Sequence, residues 1–195
     1  PGFDGSRILI PRGVETSQNR LRAAYCDQPL TFQDILQAIV VPDGQSDRAK
    51  VLTAILNSRI AVWYAFHGTA SFGSDRPEVK QADLLRLPFP SPDDVPDKAA
   101  AAQASLELIA IVDDAYERSK DRFPMQIDDG DVLRTIDRLA YQYFCLSPDE
   151  IALLDDTVEA ILPALQPHEG HFPKLWGAPD EQQRAQYAHT LATSL

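Results

Sequence analysis

Between Pro88 and Asp97 the chain carries four prolines, Pro88, Pro90, Pro92 and Pro96, interleaved with Asp93, Asp94 and Asp97. Neither a helix nor a paired strand can run through such a stretch. Each proline lacks the N–H that a ladder needs and restricts the residue before it. The segment is a rigid, polar connector. Before it lie short apolar runs rich in β-formers; after it apolar residues recur at helical spacing. That order points to an α+β chain: a small mixed α/β domain over 1–92, the connector and a long spacer helix over 93–124, and a mainly helical, acidic module over 125–195.

In the first part, Arg7-Ile-Leu-Ile-Pro-Arg12 suits a strand stopped by Pro11. Arg20-Leu-Arg-Ala-Ala-Tyr25 alternates partially and predicts a second strand, after the polar turn of residues 13–19. Ala38-Ile-Val-Val41 places a third strand over 36–41. Asp47 is then the expected N-cap of one helix, whose apolar residues Val51, Leu52, Ile55, Leu56, Ile60, Trp63 and Tyr64 follow the 3.6-residue period. Gly68 is expected to end it in the left-handed conformation. The polar loop that follows contains Gly73 and Pro77, and loops of that length are often functional.

Beyond the connector, Ala102, Leu106, Ile109, Val112 and Tyr116 predict a long helix over 98–121. A second connector through Asp131 leads to a helix with Val132, Ile136, Leu139 and Tyr143 on one face. Ser147-Pro-Asp-Glu150 combines an N-cap serine, proline at the first helical position and glutamate at the third, a capping box. Its helix should run to about Leu165. A last helix is expected from Pro179 or Asp180. The chain starts without Met and ends in this helix-like segment, so it reads as a piece of something longer.

There is no run of eighteen apolar residues and no leader or lipidation signal, so a soluble, cytoplasmic protein is expected, with no membrane partner. Cys26 and Cys145 have no C-x-x-C partner, which supports neither a thiolate metal site nor a disulfide framework. The net charge of −11 argues against nucleic acid until its distribution is considered. Residues 1–90 hold ten Lys/Arg against nine Asp/Glu, whereas residues 91–195 hold eight against twenty. The acidity sits in the second half.

Enzymatic signatures fail one by one. There is no Gly-x-Gly-x-x-Gly, phosphate-binding loop or His-Glu-x-x-His. Gly68-Thr-Ala-Ser-Phe-Gly73 misses the spacing of a nucleophile elbow by one residue and follows a helix instead of a strand. His168-Glu-Gly-His171 lacks a third ligand, and Gly170 and Pro173 oppose the helix that would align the imidazoles. The acid pairs Asp93/Asp94, Asp113/Asp114, Asp128/Asp129 and Asp155/Asp156 read as solvated charge. No catalytic residue, metal ligand or cofactor site is assigned. What remains is recognition: Arg12, Arg20, Arg22, Arg59, Arg76 and Lys80, with Ser71, Ser74 and Gln81 among them, offer phosphate clamps and base-edge contacts. For any single residue the plainer alternative is a solvent-facing position, Arg20 and Arg22 on a strand and Arg59 at the end of a polar helix stripe.

Three segments, in order, resemble the C-terminal, non-catalytic part of adenine-N6 DNA methyltransferases of the Taq-type, type I and fused restriction–modification groups. They are Arg7-Ile-Leu-Ile-Pro-Arg-Gly13 with Arg20-Leu-Arg-Ala-Ala-Tyr25; Leu56-Asn-Ser-Arg59 with Phe66-His-Gly-Thr-Ala-Ser-Phe-Gly73 and Leu87-Pro-Phe-Pro90; and Ile136-Asp-Arg-Leu-Ala-Tyr-Gln-Tyr-Phe-Cys-Leu-Ser-Pro-Asp-Glu-Ile151. Cys145 stands where that pattern has Gly, so the helix end can differ there. The catalytic Asp/Asn-Pro-Pro-Tyr/Phe motif, which grips a flipped adenine, and the Gly-rich cofactor loop are missing.

The resemblance implies double-stranded DNA recognition within a restriction–modification or phage-defence system. S-adenosylmethionine would bind in a neighbouring N-terminal methyltransferase domain of the parent protein, and this chain alone would not methylate. Arg and Ser of the 68–81 loop would reach base edges while Arg12, Arg20 and Arg22 hold phosphates; His67 is a packing residue. The long helix resembles the spacer of type I specificity subunits and would set geometry or bind a partner subunit. The competing expectation is a protein-interaction module whose acidic half docks a basic partner or the catalytic domain without touching DNA. A third, an unrecognised activity around His168, His171 and Trp176, ranks below both.

Overall fold

Four successive buried residues, Arg7, Ile8, Leu9 and Ile10, make the first strand the centre of the sheet, covered on both faces. The computed structural model describes residues 5–14, 19–69, 72, 78–119, 130–165 and 179–193. Its three strands, β1 (Arg7–Pro11), β2 (Ala24–Cys26) and β3 (Leu36–Val40), form an antiparallel sheet in the order β2-β1-β3. Ile8 lies opposite both Tyr25 and Ile39. Helices α1 (Ser46–Leu56), α2 (Arg59–Gly68), α3 (Gln81–Leu84), α4 (Lys98–Ser119), α5 (Gly130–Tyr143), α6 (Pro148–Asp156), α7 (Leu162–Leu165) and α8 (Glu181–Thr193) follow, so the chain is α+β, a small sheet before a helical module. One continuous buried cluster runs from Ile8 to Leu162. The proline connector therefore joins two parts of one packed core.

The second strand is shorter than its alternation predicts. Arg22 has φ 58° and Asn19 φ 51°, a left-handed backbone that cannot continue a ladder, so pairing begins only at Ala24. The turn in the backbone carries Arg20, Leu21 and Ala23 inward, each no more than 6% exposed.

The single long helix expected from Asp47 to His67 is two. Gln45 occupies the N-cap and Asp47 lies in the first turn. At Asn57 the backbone leaves the helix. The Asn57 amide nitrogen donates to the carbonyls of Ala23 (2.7 Å) and Thr53 (2.9 Å), and the Ser58 hydroxyl donates to Ile55 O (2.6 Å). Asn and Ser thus offer the chain an alternative to helical bonding, and Ser58, at ψ 165°, starts α2 afresh. Gly68 also departs from expectation. It is the last helical residue, followed by extended Thr69, whose hydroxyl donates to Ala65 O (2.8 Å).

In α4 the buried stripe is Ala101, Ala104, Leu108 and Val112, while Ala102 and Leu106 face solvent. The small alanines let α4 approach its neighbours closely, which rotates the helix away from the stripe read from its larger residues. The capping box of α6 is formed: Ser147 N donates to Glu150 Oε2 (2.8 Å) and Glu150 N to Ser147 Oγ (3.4 Å). Past α6 the helix widens into a π turn, Thr157–Ile161. Pro163 explains it, since its ring would clash with the carbonyl four residues back at Glu159 in a regular helix. The end of α5 keeps a left-handed residue even though that residue is Cys145, at φ 54°. Leu146 N donates to Tyr141 O and Cys145 N to Gln142 O, the paired bonds of a Schellman motif. Both cysteines are free thiols, Cys26 buried and Cys145 half-buried. Among the described residues no helix is long and apolar enough to cross a membrane.

Candidate nucleic-acid interface

The nine candidate residues separate into four situations. Arg20 is buried. Its Nη1 and Nη2 donate to the two oxygens of Asp137 in α5, each at 2.6 Å, and Nη1 also donates to Asn57 O at 3.0 Å. The same carboxylate accepts the backbone N–H of Arg59 (2.9 Å), the first residue of α2, where the helix dipole favours a negative charge. Arg59 is tied further: Nη1 to Asp155 and Nη2 to Glu159, both at 2.6 Å, while Nε lies 3.5 Å from Asp137 without making a hydrogen bond. Tyr141 donates to Asp155 Oδ1 (2.8 Å). Burial alone would pull the Arg59 guanidinium down, but the hydrogen bonds to Asp155 and Glu159 outweigh it and hold it above the ordinary arginine range. Burial, then the Asp155 acceptor, holds the Tyr141 phenol above its usual range.

This network joins the segment after β1, the break between α1 and α2, and the helical module. It corrects the phosphate-clamp role expected of Arg20, which is buried with its charge met by Asp137, and it commits the half-buried Arg59 charge to Asp155 and Glu159. Sequence reasoning missed the acid partners Asp137, Asp155 and Glu159. One signal was present, since Asp137 falls on the α5 face shared by Leu133, Ile136 and Ala140, where an unpaired carboxylate would not be tolerated.

Arg22 is the second situation, half-buried on its left-handed backbone. Arg12, Lys80 and Gln81 form the third: all are exposed at the end of the sheet. Gly13 and Glu78 make an antiparallel bridge, Val79 N donates to Arg12 O (3.0 Å), and Gln37 Nε2 donates to Val79 O (2.7 Å). Gln81 Nε2 donates to Ala38 O (2.8 Å), which commits that amide nitrogen to the sheet. Residues 78–81 are thereby sewn to β1 and β3, and the segments that carry Arg12, Glu78 and Lys80, all three exposed, meet at the same end of the sheet. Phe72, within the 68–78 segment, is buried with its ring against Phe66. Ser71, Ser74 and Arg76 form the fourth situation and lie outside the described residues, as do His168, His171 and Trp176. His67 is exposed, its ring against Trp63 (4.8 Å) and Phe66 (4.9 Å).

A second surface feature went unread in the sequence. Ile60, Trp63 and Tyr64 of α2, Leu87 and Pro88, Phe144 and Leu146 after α5, and Leu153 and Leu154 of α6 line an open groove of about 260 Å³. Among the described residues Glu150 is the one charged residue in its wall. Among the described residues no group of His, Cys, Asp and Glu could hold a metal ion. No protein-family model, curated protein or solved structure matches this chain.

Proposed function

We propose that this chain recognises double-stranded DNA for an adenine methyltransferase of a restriction–modification or phage-defence system, with S-adenosylmethionine and the flipped adenine handled by a neighbouring methyltransferase domain in the cytoplasm. The observation that carries the reading is the Gly13–Glu78 bridge, which ties the segments bearing exposed Arg12 and Lys80 to each other at one end of the sheet. Exposed cations on a fixed sheet end suit phosphate contacts, and the polar residues of the 68–81 segment have the chemistry for base edges. Arg76 is the loop residue suited to bidentate contact with a base.

The interface is narrower than the sequence implied, since Arg20 and Arg59 serve the interior. Their network fixes the sheet against the helical module, so the long helix α4 would hold a set geometry to a partner subunit. Fluorescence anisotropy with a labelled duplex tests the reading. The chain binds at low salt, and Arg76→Ala costs about 1–3 kcal/mol on the preferred sequence; equal affinity of wild type and variant for every duplex removes the loop from recognition. A second reading, docking of a partner subunit or the catalytic domain without DNA contact, is favoured by the uncovered groove beside α6. Absence of duplex binding at low salt decides for it.

A further inference from the structure

Two glutamine side chains cross between β3 and the segment that leads into α3. Gln37 Nε2 donates to Val79 O (2.7 Å), and Gln81 Nε2 donates back to Ala38 O (2.8 Å), joining residues 42 and 43 positions apart. The register of β3 explains the second bond. Arg12 N donates to Ile35 O and Val41 N to Ser6 O, with Arg7 opposite Val40. Alternate residues of an antiparallel strand bond the same neighbour, so Gln37 and Ile39 turn their backbone groups to β1. Those of Leu36, Ala38 and Val40 point to the open edge. Ala38 O is therefore an edge acceptor, and the Gln81 amide takes it as a fourth strand would.

The residue between these attachments is Lys80. On one side Val79, 2% exposed, is anchored in the core, and its N–H donates to Arg12 O (3.0 Å). On the other, Lys80 O accepts Asp83 N (2.9 Å) and Leu84 N (3.1 Å) in the first turn of α3, and Leu84 is buried. Lys80 itself is exposed. Its backbone is thus held on both sides while its side chain stays at the surface, and a cation placed before its ligand arrives loses less freedom on binding.

We infer that Gln37 and Gln81 are positioning residues for Lys80, fixing the backbone from which it contacts a phosphate of the duplex. The inference rests on the DNA-recognition reading, in which Lys80 supplies that contact, and adds the residues that set its place.

Gln37→Met and Gln81→Met remove one donor each while keeping side-chain length and net charge, so they separate position from electrostatics. Gln37 is half-buried and Gln81 exposed, and methionine fits at both. Two measurements on the full 195-residue chain test the inference. In amide hydrogen exchange followed by NMR, Gln37→Met speeds exchange at Val79 about fivefold, as one net hydrogen bond implies, and Gln81→Met, whose bond is exposed, about twofold. Ile8 in the central strand and Leu108 in α4 keep their wild-type rates. In fluorescence anisotropy with a labelled duplex at low salt, each variant weakens binding by about the same factor, and on a Lys80→Ala background neither weakens it further. Unchanged exchange at Val79 overturns the inference. So does equal acceleration at Val79, Ile8 and Leu108, because the glutamines then serve global stability. Duplex binding that both variants leave intact, or weaken equally with and without Lys80, overturns the positioning role while DNA recognition stands. A wild-type chain that binds no duplex ends the recognition reading itself, and the positioning role falls with it.

Discussion

Asp137→Asn keeps the shape of the side chain, removes its charge, and turns an N–H₂ group toward donors. In the native protein Asp137, 5% exposed, accepts both arms of Arg20 at 2.6 Å and the Arg59 N–H at 2.9 Å. Removing one partner of a buried ion pair costs about 3–5 kcal/mol, because the remaining charge stays buried without compensation. With an m-value of about 2 kcal/mol per molar urea, a loss of about 4 kcal/mol lowers the unfolding midpoint by about 2 M. That is a large share of a total stability of about 5–15 kcal/mol. Urea titration followed by far-ultraviolet circular dichroism and Trp fluorescence reads the shift. Arg20→Met should cost a similar amount, and the double variant should fall short of the sum by about 1 kcal/mol or more. A loss below about 1 kcal/mol for Asp137→Asn, or strict additivity in the cycle, would refute the reasoning that this pair locks the sheet to the helical module.

Three further outcomes follow from local geometry. Cys145→Gly removes a Cβ from the left-handed end of α5 and should raise stability by about 1 kcal/mol, read as a higher melting temperature; a lower one contradicts the strain assigned to that residue. Ser147→Ala deletes the N-cap acceptor of α6 and should cost about 1 kcal/mol in urea, and no measurable cost would show the box to be dispensable. Burial and the Asp155 acceptor raise the Tyr141 phenol, so its contribution is complete below the unfolded tyrosine value of about 10 and is lost as pH rises through the higher folded value. Stability should therefore fall above about pH 10, and Tyr141→Phe should flatten part of that limb; parallel alkaline limbs would contradict it.

Local signals carried much of the fold. The starts of the first and third strands, the Ser147 box and the proline connector were legible because each depends on residues within a few positions. The break at Asn57 was hidden because apolar spacing continues through it from Ile55 to Ile60, and only the reach of Asn57 to Ala23 O decides against one helix. The π turn was legible in principle from Pro163. The roles of Arg20 and Arg59 were not, since Asp137 lies 117 residues from Arg20 and 78 from Arg59, and a charge pattern along the sequence does not say which arginines will find a buried acid. At the candidate interface the exposed polar character of Lys80 and Gln81 was readable. Their fixation to the sheet comes from the Gly13–Glu78 bridge and the Gln81 bond to Ala38 O, both tertiary contacts.

The salt dependence of duplex binding addresses the central proposal most directly. If Arg12 and Lys80 each neutralise one phosphate, the slope of log K against log salt becomes shallower by about 0.9 for each of Arg12→Ala and Lys80→Ala, and by about 1.8 for the pair. A slope identical in wild type and double variant, or no duplex binding at low salt, contradicts it.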